Sequence, residues 1–84
     1  MSPRDLSKEI GRTQKLVEDL ENEVHASERA LVELEAQLAG LSPDADVLTL
    51  TRRHGELQEK IAGSMAAWEE QCTRLEQLRA QQSS

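Results

Sequence analysis

The chain has no Phe, no Tyr, one Trp, one Cys and two Pro among 84 residues. Each scarcity excludes something. Without β-branched and aromatic runs there is little from which to build a sheet. A single cysteine, Cys72, cannot close an internal disulfide, so a reducing, cytoplasmic setting is expected. No apolar run approaches the ~18 residues of a membrane-spanning helix. The N-terminus shows no basic-plus-apolar signal segment. Charge of one sign is also short: ten Lys and Arg stand against sixteen Asp and Glu. The resulting net charge of −6 disfavours nonspecific contact with nucleic acid.

What is abundant is Glu, Leu, Ala and Gln, the composition of long helices. The apolar residues are also spaced like a helix seam. Leu6, Ile10, Thr13, Val17, Leu20, Val24, Ser27, Leu31, Leu34, Leu38 and Leu41 follow one another by alternating steps of four and three. Such a heptad buries one stripe of a helix against another helix. A second, less regular heptad runs Val47, Leu50, His54, Leu57, Ile61, Ser64, Trp68, Gln71, Leu75, Leu78 and Gln82.

Between the two lies the only dense group of helix breakers, Gly40-Leu41-Ser42-Pro43-Asp44-Ala45-Asp46. Gly40 suits a left-handed position beyond a helix end. Ser42 followed by Pro43 reads as an N-cap and first helical residue. Ser2, Pro3 and Asp5 open the chain with the same grammar. The expectation is one domain over residues 1–84: a helix over about 3–39, a turn at about 40–44 and a helix over about 44–81. A short loop makes neighbouring helices antiparallel, so the predicted fold is all-α, an antiparallel two-helix coiled-coil hairpin.

The two seams can be laid against each other by folding the chain about residue 44. Leu41 then meets Val47, Leu34 meets His54, Leu20 meets Trp68 and Ile10 meets Leu78. Polar residues of one seam face apolar residues of the other along its whole length, down to the open end, where Leu6 meets Gln82. Along one flank Glu9 can reach Arg74 and Glu23 can reach Lys60, pairs contributing a few tenths of a kcal/mol each (on the order of 0.3). Along the other flank Glu21, Glu28 and Glu35 look toward Thr51, Gln58, Met65 and Cys72, with no matching bases.

Chemistry has little to stand on. His25, His54 and Cys72 lie at different heights of such a hairpin and do not converge as metal ligands must. Asp44 and Asp46 lack the glycine and distal Glu of a calcium loop and read as caps. No nucleophile elbow, phosphate-binding glycine loop or His-Glu-x-x-His pattern is present. No catalytic residue, metal or cofactor is therefore expected. Partner binding is the stronger expectation. Leu16, Val32, Leu48, Met65 and Cys72 are apolar but off the seam, and Met65 and Cys72 flank Trp68. They form a candidate surface for a protein partner, whether a second copy of the chain or a larger domain. Arg29, Arg52 and Arg53 form a candidate nucleic-acid contact near the tip, without an aromatic beside them for base stacking.

The order of elements also carries a resemblance. A charged leucine-heptad helix leads into a Pro/Asp turn and a second helix. That second helix bears Leu50-Thr51, Glu56-Leu57 and then Trp68-Glu69-Glu70. Over about residues 5–80 this resembles the C-terminal coiled-coil domain of ABC-F type ATPases, the duplicated ATP-binding-cassette proteins without membrane spans. The chain departs from that family at Met65, where a Tyr is usual, and at Gln71, where a Leu is usual. The resemblance implies an arm of a larger ATPase that contacts nucleic acid or the ribosome. The alternative is a free-standing adaptor whose hairpins pair into a four-helix bundle.

Overall fold

The computed structural model describes residues 1–83, and they form two helices, α1 (Pro3–Ala39) and α2 (Val47–Ser83). Ser2 caps α1 as its sequence grammar implies. The Asp5 amide donates to Ser2 Oγ at 3.2 Å, and Pro3 occupies the first turn, where its missing N–H costs nothing. The helices lie side by side as a rod of 63 × 14 × 14 Å. Each helix has 37 residues, which at 1.5 Å per residue gives about 55 Å. Contacts between the helices run in opposite senses: Glu35 reaches His54, Glu21 reaches Trp68 and Glu9 reaches Arg74. The fold is therefore an all-α antiparallel hairpin.

The seam is the core. On α1 the buried residues are Leu6, Ile10, Thr13, Val24, Ser27 and Leu34, all of them heptad positions. Leu78 of α2 closes over Leu6 and Ile10, with Leu75 beside it, and makes the tightest apolar cluster of the rod. The register that sets Ile10 opposite Leu78 is thus the one adopted. Thr13 fits a buried seam position because its hydroxyl donates to the Glu9 carbonyl at 2.8 Å, so the side chain carries no unmet polar group inside.

The turn departs from its expected grammar in three ways. Ser42 and Pro43 do not start the second helix. The Ala45 amide instead donates to the Ser42 carbonyl at 3.1 Å, a tight turn with Pro43 at the position that favours its fixed φ. The cap of α2 is Asp46, one of the two aspartates the sequence reads as caps, which accepts from the Thr49 amide at 3.0 Å and from the Thr49 hydroxyl at 2.6 Å. Helix two consequently starts at Val47 rather than near residue 44. Gly40 ends α1 at φ −105°, not in the left-handed region, with its amide still bonded to the Ala36 carbonyl. Leu41 and Val47, at the turn end of the seam, are 37% and 49% exposed.

Asp46 has a measurable consequence. Its carboxyl is held below its ordinary value of 3.8, first by the Thr49 hydroxyl and then by the Thr49 amide. A carboxylate more acidic in the folded chain than in the unfolded one stabilises the fold above pH 3.8, and that contribution fades as pH falls through the lowered value. Asp46→Ala is expected to lower Tm at neutral pH, and the gap to the parent chain is expected to narrow once pH drops below 3.8. Thermal melts followed by circular dichroism check this; a gap constant with pH would contradict the role of the charge.

Candidate functional site

With heptad positions lettered a to g, the buried stripes are positions a and d. The rod then has two long flanks, one lined by the g positions of both helices and one by the e positions. Their side chains differ.

The g flank is ionic. Arg74 Nη2 reaches Glu9 Oε2 at 3.1 Å, and Glu9 also holds Arg12 at 3.0 Å. Nearer the turn, an open groove runs between Glu33 and Gln37 on one wall and Arg53, Glu56 and Lys60 on the other. The expected Glu23–Lys60 pair is not formed among the described residues; Lys60 lines this groove instead. Leu16 lies on this flank and is 48% exposed.

The e flank is apolar at its centre. Val24, His25, Met65 and Trp68, with Glu21 at the edge, enclose a small cleft of ≈ 180 Å³ whose walls are almost wholly carbon. Trp68 is half-buried at seam position a, and its indole Nε1 donates to Glu21 Oε1 at 3.2 Å. This contact pins the ring across the interface. His54, also at position a, sits 3.2 Å from Glu35 through Nε2. Two acids of the flank that seemed to lack bases are thus engaged by the polar tips of seam residues. The signal was in the sequence: His and Trp at a positions, each with a Glu on the adjacent flank of the facing helix.

The off-seam apolar residues separate accordingly. Met65 joins Trp68 in one cleft. Val32 lines an adjoining shallow cleft with Glu28 and Arg29, and His25 belongs to both. Cys72 is half-buried on the same flank, and Leu48 stands 80% exposed beside the turn. Leu16 is on the opposite side. The three arginines do not gather: Arg29 lines the cleft of Val32, Arg53 lines the ionic groove of the g flank, and Arg52 is exposed. His25, His54 and Cys72 do not meet, and no group of three or more His, Cys, Asp or Glu suited to a metal occurs among the described residues. None of the described helices is long and apolar enough to cross a membrane.

The surface is large for the mass. A compact monomer of 9.4 kDa exposes about 5,000 Å², whereas this rod exposes 6223 Å². No protein-family model matches the chain, and no curated protein and no solved structure matches it either.

Proposed function

We propose that this chain is a non-catalytic protein-interaction arm of the cytoplasm, built like the C-terminal coiled-coil domain of an ABC-F type ATPase. The observation that carries the reading is the setting of Trp68. The Trp-Glu-Glu element is the most specific part of the resemblance, and its Trp is anchored across the seam by Glu21 beside an open apolar cleft. A rod of this kind presents its flanks to a partner, and the clefts described on those flanks are open to solvent, a setting that leaves carboxylates hydrated. In this reading the arm docks the parent ATPase domains or their target, the ribosome or nucleic acid. The test is the reading frame upstream of Met1. A Walker motif in frame supports the proposal, and a stop codon immediately before Met1 refutes it.

A second reading draws on the off-seam apolar residues Leu16, Val32, Leu48 and Met65, which are exposed on the rod. Such residues suit a free-standing adaptor whose hairpins pair into a four-helix bundle. Sedimentation equilibrium separates the two, because a bundle requires a concentration-dependent dimer. Nucleic-acid contact through Arg29, Arg52 and Arg53 ranks below both, given their separation and the net charge of −6. A gel shift abolished by replacing Arg52 and Arg53 together would be its signature.

A further inference from the structure

The inequality of the two flanks names a partner. From Gln14 to Ala39 on α1 and from Leu48 to Glu76 on α2, the e and b positions form one face of the rod. That face holds Val32, Leu48, Met65 and Cys72, with Gly55 and Ala62 between them. Val32, Leu48 and Met65 are 65%, 80% and 44% exposed. Projected on the antiparallel register, Leu48, Val32, Met65 and Cys72 follow one another down the rod at intervals of about eight residues, or about 12 Å. They are rungs of one ladder spanning about 36 Å, the length of a helix of about 24 residues.

The same positions hold six carboxylates, Glu18, Glu21, Glu28, Glu35, Glu69 and Glu76; the bases that border the face are Arg29, which lines the cleft of Val32, and Arg79, at the next e position past Cys72. The g flank differs: there Arg53, Lys60 and Arg74 stand among the acids. An apolar ladder edged by acids of one sign selects its occupant by charge. A second copy docked by this face would set six carboxylates against six, which like-charge repulsion opposes. A helix with an apolar stripe and flanking Lys or Arg would meet both features.

We infer that the e/b face of the hairpin is a docking site for a basic amphipathic α-helix of a partner protein, laid along the ladder from Leu48 to Cys72 and passing over the cleft of Met65 and Trp68. This rests on the interaction-arm reading, whose own test is the upstream reading frame and does not depend on helix binding. A helix here makes the hairpin a three-helix assembly and covers the carbon-lined cleft. Its basic flanks would meet Glu18 and Glu28 on one side and Glu69 and Glu76 on the other.

Trp68 is the only aromatic residue, so its fluorescence reports the site directly. The probe is a heptad peptide of about 28 residues with Leu at a and d, Lys at e and g, and no aromatic residue; its counterpart carries Glu in place of Lys. The Lys peptide is expected to shift Trp68 emission to the blue and to saturate. In Val32→Gln/Met65→Gln the Kd should rise by about tenfold or more. In Glu28→Gln/Glu69→Gln, which leaves the apolar ladder intact, it should rise with a reduced salt dependence. Leu16→Gln, on the other flank, should change it less than about twofold. Equal binding of the Glu peptide overturns the inference, as does an equal loss in Leu16→Gln. A chain that sediments alone as a dimer dissolved by Met65→Gln also overturns it and assigns the face to a second copy.

Discussion

Leu78→Ala is expected to lower the stability of the hairpin by about 2–3 kcal/mol and its Tm by about 10 °C or more. Leu78 is the most buried apolar side chain of the rod, 3% exposed, and it closes over Leu6 and Ile10 at 8% each. Removing its branched end deletes the contacts that hold the open ends of the two helices together. The remaining seam cannot compensate, because most α2 positions are only half-buried. A two-helix rod also has no second layer to collapse into the space. Domains of this size have total stabilities of only several kcal/mol (about 5–10), so the loss is a large fraction of the whole. The control is Leu48→Ala, a truncation of the same chemistry at an 80% exposed position, expected to change stability by less than about 0.5 kcal/mol. Urea titrations followed by circular dichroism compare the two. Equal costs at both positions would mean that the hairpin seam is not the core.

The converse prediction is a gain. A Cβ built at Gly11, Gly55 or Gly63 would meet nothing within 4 Å, and each glycine lies inside a helix. Glycine there costs about 1 kcal/mol relative to alanine, through backbone entropy rather than contacts. Gly11→Ala/Gly55→Ala/Gly63→Ala is expected to raise stability by about 2–3 kcal/mol, because the three sites are far apart and their effects add. Tm should rise by about 10 °C or more. No gain, or a loss, in the thermal melt would show that the helices are not continuous at these positions. Gly55 is also at a b position of the proposed docking face, so the triple variant separates two properties. Stability should rise whether or not a partner helix approaches that backbone closely.

Much of the fold was legible because a heptad is a direct physical code. Helices that pack along their length need an apolar stripe near every 3.5 residues, and Leu6 to Leu38 supply it. The cap at Ser2 was legible too, since Ser, Pro and Asp occur there in the order a helix start requires. The same residue types misled at the turn. Ser, Pro and Asp also build tight turns, and the Ser42-Pro43-Asp44 stretch uses them that way while Asp46 performs the capping. Local sequence could not rank these two uses, because the choice depends on where the antiparallel helix must begin to meet its partner.

The candidate surface was legible in part, since spacing already set Met65 and Cys72 beside Trp68. Leu16, Val32, Leu48, Met65 and Cys72 were off the seam by spacing alone. That four of them share one flank while Leu16 lies on the other follows from the antiparallel pairing, which brings the e positions of both helices to the same side. The partners of Glu21 and Glu35 emerged in the same way, through the tips of Trp68 and His54.

By itself, then, the sequence determined the element type, the buried stripe and its register, because helix periodicity and seam complementarity are properties of the chain order. Tertiary structure decided where the turn ends, where an apolar cleft opens on the flank without matching bases, and how the acids of that flank are engaged. Those depend on distances between residues far apart in sequence, which arise only once the two helices lie against each other.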